Sequence, residues 1–183
     1  MHVIHRGIVN KKFKENLLSS FKKSFNSGFG IETDIHATKD QKFICFHDFT
    51  FNRMFKKNLS IKNLNYATIK KISSLSKSQI PLLDNVLIAS KNKYPLLIEL
   101  KPNFSIKLLK KLIRKCSKYS KCIFISFNHT NIYRLLRIKS SLSVGLSFTY
   151  NSSVKTIIQK SKNPKIKFLI LDKTFINKKK FKS

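Results

Sequence analysis

Short apolar runs with strand character alternate along this chain with longer segments of helical period. The runs cover 2–6, 31–37, 43–47, 94–101, 122–127, 143–148 and 166–172. Between them, Leu17, Leu18, Phe21 and Phe25 fall on one helical face, as do Leu108, Leu109, Leu112, Ile113 and Cys116. Further helices are expected over 82–90, 131–138 and 154–161, and around 67–75 within a Lys-, Asn- and Ser-rich stretch spanning 52–78. Seven strands interleaved with helices predict a mostly parallel sheet and an α/β fold.

Two architectures satisfy that alternation. An open nucleotide-binding sheet calls for a glycine-rich turn after its first strand, and HRGIVNKKF offers only Gly7. A barrel carries its chemistry at the C-terminal ends of several strands, and the polar residues that end strands here are His5 and Arg6, Glu32 and Asp34, His47, Glu99 and Lys101. The barrel is therefore expected. One link is irregular, because the few residues between Ile35 and Phe43 are too short for a crossover helix.

Length and composition change this picture little. The 183 residues, 42% of them apolar, suit one domain with a sizeable core, so 1–183 is read as a single barrel with a short basic tail from about 173. No apolar run reaches the roughly 18 residues of a membrane helix, and MHVIHRG lacks a leader pattern, which points to the cytoplasm. Cys45, Cys116 and Cys122 have no zinc-like spacing and are expected as reduced core residues.

Charge is the outlier. The chain holds 38 Lys and Arg against 8 Asp and Glu, a formal +30. Such a balance is compatible with a nucleic acid or an anionic membrane as partner. It is equally the product of AT-rich codon usage, with lysines spread throughout and clustered only at Lys178, Lys179, Lys180 and Lys182. Solvated lysine faces are the favoured reading.

Against that background, half the acids crowd into GIETDIHATKDQKFICFHDF. Alternation along a strand puts Glu32, Asp34 and His36 on one face. Neighbouring buried carboxylates repel unless a cation lies between them. Glu99, in YPLLIELK, is the other strand-embedded acid, and with Glu32 and Asp34 it could hold one hard divalent ion, Mg²⁺ or Ca²⁺, through oxygen. His5 and His47 end strands at the same predicted edge and can exchange protons near neutral pH. Arg6 and Lys101 would then be cations placed for a phosphate. Phosphoryl chemistry uses all seven residues.

These motifs resemble the glycerophosphodiester phosphodiesterase family. The chain reads His5-Arg6-Gly7, Glu15-Asn16-Leu17-Leu18, Glu32-Thr33-Asp34 with Thr38-Lys39-Asp40, His47-Asp48, Arg53, Ile80-Pro81-Leu82-Leu83 and Glu99-Leu100-Lys101, in the family's order and spacing. The resemblance implies a distorted TIM barrel that hydrolyses glycerophosphodiesters to glycerol 3-phosphate and an alcohol with a divalent metal. It implies Glu32, Asp34 and Glu99 as metal ligands, His5 and His47 as the acid/base pair, and Arg6 and Lys101 as phosphate contacts. It also makes the irregular link between the second and third strands an expected feature.

Three departures stand out. Gln41 replaces the glycine usual after Lys-Asp, and Leu17 replaces a threonine; both are expected to affect turn geometry or helix entry. Beyond Ser126-Phe127 the match is faint and the late Trp-Thr strand is absent, so the barrel is expected to lack its last strand, or to replace it poorly with 173–181. A barrel that kept its fold, lost its chemistry and binds nucleic acid or anionic membrane is the alternative.

Overall fold

The computed structural model describes residues 2–75 and 78–177. The strands are β1 (Val3–His5), β2 (Gly30–Ala37), β3 (Phe43–Cys45), β4 (Leu96–Leu100), β5 (Cys122–Ser126), β6 (Val144–Phe148) and β7 (Phe168–Leu171). The helices are α1 (Leu18–Asn26), α2 (Asn52–Phe55), α3 (Tyr66–Ser74), α4 (Leu83–Ser90), α5 (Ile106–Cys116), α6 (His129–Ile138) and α7 (Val154–Ser161), with 3₁₀ turns at Ile61–Asn63 and Lys173–Asn177. All seven expected strands are present. None of the helices among the described residues is long and apolar enough to cross a membrane.

The sheet runs β1-β2-β4-β5-β6-β7, every neighbouring pair on this path parallel, with β3 antiparallel beside β2. The irregular link is thus a tight hairpin, which a short connection permits and a parallel crossover forbids. The path curls into a half-barrel of six strands. Among the described residues β7 does not pair with β1, so both present open edges. Of the stretch 173–181, one of the two expectations for the last strand, residues 173–177 form a 3₁₀ turn, and the rest, with Lys178, Lys179, Lys180 and Lys182, lies outside the described residues.

Register decides what faces inward. Partners in adjacent strands share a face. His5 pairs with Glu32, Asp34 with Glu99, Glu99 with Ile125 and Gly145 with Phe168. The inner wall is accordingly charged on β1, β2 and β4 and uncharged on β5 to β7, where the buried Ser147 of β6 is paired with Ile170 among otherwise apolar neighbours. Ile31, Ile35, Ile98, Leu100, Phe124 and Leu146 face the other way and form the main core with the helices. In α5, the Ser105 side chain caps the first turn by accepting from the Leu108 N–H, and Leu109, Leu112 and Cys116 are buried at helical spacing. The three cysteines are free and buried, and burial pushes the Cys45 thiol up to about 12.

A second core of Ile44, Phe46, Phe51, Ile61, Ile69 and Ile80 lies under the long excursion between β3 and α4. It gives that excursion a fixed shape, which matters because His47, Asp48 and Arg53 are carried on it.

Both positions that depart from the resembled motifs have local consequences. Gln41 closes the hairpin turn at φ 57°, the left-handed region that glycine enters without steric cost. Gln41→Gly is expected to raise unfolding free energy by about 0.5–1 kcal/mol, the relieved strain exceeding the added chain entropy; the urea midpoint measures it. Leu17 is the N-cap of α1 and supplies no side-chain cap, although it is itself buried.

Candidate active site

Gly7 follows β1 with φ 77°, and a Cβ there would lie 2.9 Å from Ser20 Oγ and 3.0 Å from Phe21 Cδ1. Only glycine fits this close turn over α1. Arg6 before it also has positive φ, 56°, and is held by its own backbone: its N–H donates to the Glu32 carbonyl at 3.1 Å, and its carbonyl accepts from the Asn16 N–H at 3.0 Å. Such strain persists where surrounding bonds over-determine it. The turn sends the guanidinium back over the strand ends, where Nε lies 3.2 Å from Asp34 Oδ2 and Nη1 3.2 Å from Glu15 Oε2.

Glu32, Asp34 and Glu99 are buried together, each offering an oxygen within 4.8 Å of the others. Lys101 Nζ bridges two of them, 3.0 Å from Glu99 Oε1 and 3.4 Å from Asp34 Oδ1. His5 Nε2 approaches the third, at 3.8 Å from Glu32 Oε2. Two permanent cations therefore face three acids. The shortfall falls on Glu32, whose Oε1 is buried without a hydrogen-bond partner. Burial, then the charges of Asp34 and Glu99, raise its carboxyl well above the usual range. Glu99 is also raised, chiefly by burial, with Lys101 opposing.

A divalent ion suits this arrangement. The donors are all hard oxygens, one of them unpartnered. Ligands 2.0–2.6 Å from one ion lie no more than about 5 Å apart, which the triad satisfies.

His47 lies beyond the end of β3, two residues past Cys45. Its Nδ1 is 2.7 Å from Asp48 Oδ1; a carboxylate only accepts, so Nδ1 carries the proton and Nε2 is left to exchange one. Asp48 is fixed in turn by Arg53, whose Nε donates to Oδ2 at 2.6 Å and whose Nη2 also reaches Glu15 Oε1. Those bonds, Arg53 first, hold Asp48 below the usual carboxylate range against the effect of burial. His36 is different in kind. It is buried, its Nε2 donates to the His47 carbonyl at 3.3 Å, and burial lowers it to about 4, so it stays neutral and steadies the His47 backbone.

All seven residues singled out in the sequence thus belong to one end of the half-barrel. Three others join them. Asn16, buried at φ 54°, donates to Asp34 Oδ2 at 2.9 Å and accepts from Thr33 Oγ1 at 2.9 Å; Glu15 and Arg53 link the β1 turn to the excursion. Their only signal was the Glu15-Asn16 and Arg53 motif. Asp40 sits apart and shapes the hairpin turn, its Oδ1 accepting from Thr38 Oγ1 at 2.6 Å and the Tyr66 N–H at 2.9 Å.

A half-barrel with charged residues at the C-terminal ends of its strands belongs to the (β/α)-barrel class of architectures. Within it, residues 5–182 match the glycerophosphoryl diester phosphodiesterase family, and the chain belongs to that family. It is similar to a glycerophosphodiester phosphodiesterase of Caldanaerobacter subterraneus subsp. tengcongensis, 29% identical over 161 residues that make up 80% of this chain and 65% of that protein. It is also similar to the human lysophospholipase D GDPD1, 28% identical over 66% of this chain and 42% of that one. The chain thus spans 65% or less of these relatives' lengths. Among solved structures, a glycerophosphodiester phosphodiesterase from Thermotoga maritima superposes with TM-score 0.75 at 22% identity, over 92% of this chain and 72% of that one. An Oleispira antarctica phosphodiesterase in complex with the product sn-glycerol-3-phosphate gives 0.73 at 18%, over 87% and 70%. These likenesses show the fold.

Proposed function

We propose that the chain is a divalent-metal-dependent hydrolase that cleaves glycerophosphodiesters to glycerol 3-phosphate and an alcohol, with residues 1–183 as one domain built on the half-barrel. The observation that carries this reading is the buried triad Glu32, Asp34 and Glu99 beside two histidines and two cations, in a chain of this family. The glycerol 3-phosphate bound to the Oleispira antarctica neighbour supports the product.

Glu32, Asp34 and Glu99 would hold Mg²⁺ or Ca²⁺. Bound there, the ion would polarise the phosphate and offset its charge. His47, with Nδ1–H fixed by Asp48, presents Nε2 for proton exchange at one side of the reacting phosphate. His5, whose side chain is largely exposed, is lowered by partial desolvation and then by the Arg6 charge, and could accept a proton at the other. Hydrolysis needs one proton taken from the attacking oxygen and one given to the leaving alcohol, and two histidines supply both. Arg6 and Lys101 contact the phosphate oxygens as the charge on them grows, Arg6 through its guanidinium and Lys101 as a point charge.

Arg53 is assigned as a positioning residue for His47 through Asp48. Arg53→Ala is expected to lower kcat about tenfold to a hundredfold with KM little changed, and Arg53→Lys to recover part of the loss. An unchanged kcat in the alanine variant contradicts the assignment.

The reading as a whole is tested with a panel of phosphodiesters and added Mg²⁺ or Ca²⁺. Glycerophosphocholine, glycerophosphoglycerol and lysophosphatidylcholine share the phosphoglycerol unit and differ in the alcohol or acyl chain. Turnover of at least one, with glycerol 3-phosphate or its acylated form as product, is expected; turnover of none counts against a hydrolase.

A further inference from the structure

Ten large apolar side chains are exposed among the described residues, and half of them lie at one end of the molecule. They are Val9 in the β1–α1 loop, Phe49 and Leu59 in the excursion after β3, Phe127 after β5 and Tyr150 after β6. This is the end that carries the carboxylates and His47. Phe49 and Lys62 line a cavity of about 470 Å³ with Lys101 and Asn103, and Phe127 and Tyr150 line a second one of about 230 Å³. Phe49, 56% exposed, packs edge-on against the buried His36 at 5.0 Å, so it stands at the lip of the half-barrel.

The same loops are basic. Lys11, Lys12, Lys56, Lys57 and Lys62 are exposed in them. The acids of the two longest loops are each matched to a cation: Glu15 to Arg6 and Arg53, and Asp48 to Arg53. What faces outward is therefore apolar side chains among uncompensated lysines.

That combination separates two polyanions. A nucleic acid would use the lysines and could stack on Phe49, yet it offers little to the aliphatic Val9 and Leu59. An anionic lipid surface uses both components: each lysine near it raises affinity about fivefold, and apolar side chains enter the headgroup boundary. We infer that this rim docks the mouth of the half-barrel on an anionic membrane surface. Such docking would present the site to phosphodiesters held in that membrane. The inference rests on exposure and charge, and binding is read without turnover, so it stands or falls apart from the hydrolase reading.

The chain has no Trp, so a single introduced one reports its own surroundings. Leu59→Trp and, as a control on the outward face of α7, Ile158→Trp would each be mixed with vesicles of phosphatidylcholine alone and of equimolar phosphatidylcholine and phosphatidylserine. With the anionic vesicles the Leu59→Trp emission is expected to shift to the blue while that of Ile158→Trp stays fixed; with neutral vesicles neither moves. Val9→Ser combined with Phe49→Ser keeps the charge and is expected to weaken co-sedimentation with anionic vesicles about tenfold or more. No shift at Leu59→Trp, an equal shift at Ile158→Trp, or undiminished co-sedimentation of the serine variant overturns the inference. Tighter binding to single-stranded RNA than to the vesicles overturns it in favour of a nucleic-acid partner.

Discussion

His47→Ala is expected to lower kcat for glycerophosphodiester hydrolysis by about 10²–10⁴-fold, the usual range for loss of a general acid or base. The size follows from the local design. Asp48 fixes the Nδ1 proton, Arg53 fixes Asp48, and the second core under the excursion fixes the backbone that carries all three. Nothing else in the excursion offers an imidazole at that place. His36, the nearest imidazole, is held neutral by burial with its Nε2 proton given to the His47 carbonyl, so it is a poor substitute. Because Asp48 keeps Arg53 as partner in the variant, the fold is expected to survive. Far-UV circular dichroism and kcat measured on the same preparation check both halves. Full activity in a folded His47→Ala protein removes His47 from the chemistry.

The second large effect concerns the triad. Saturating Mg²⁺ or Ca²⁺ is expected to stabilise the protein by about 2.7 kcal/mol at a hundred times Kd, a rise in Tm of several degrees. Glu32→Gln should lose most of that rise along with activity. Without metal the order reverses: Glu32→Gln is expected to be at least as stable as wild type, because it removes a buried charge that Asp34 and Glu99 repel. The pH dependence follows with the same sign. A carboxyl raised in the folded state contributes stability that is fully present below its ordinary value, about 4.5, and is lost as pH rises through the raised value. Metal-free wild type should therefore weaken over that window, and Glu32→Gln should weaken less. Equal metal-induced rises in Tm for both proteins exclude Glu32 as a ligand.

How far the sequence could be read depended on the kind of signal. Strand and helix periods located every strand, and alternation correctly put Glu32 and Asp34 on one face. Alternation cannot supply register, yet register is what lays Asp34 against Glu99 and His5 against Glu32. It also misjudged the end of β3: the strand stops at Cys45, and His47 is placed by the excursion's own packing. Glu15, Asn16 and Arg53 come from turns and a short helix with no period to find, so only the family motif marked them. Arg6 and Lys101, expected as phosphate contacts, face Asp34 and Glu99 here, which no spacing argument reveals. Gln41 was visible as a departure; its positive φ was not.

The central claim, hydrolysis of a glycerophosphodiester at the triad, is tested most directly by following glycerophosphocholine by phosphorus NMR. Wild type would be run with Mg²⁺ or Ca²⁺ and again with a chelator. The account predicts conversion of the diester signal to glycerol 3-phosphate with metal and none with the chelator. A diester signal that persists unchanged in the presence of metal, or one that converts equally well under chelation, would contradict it.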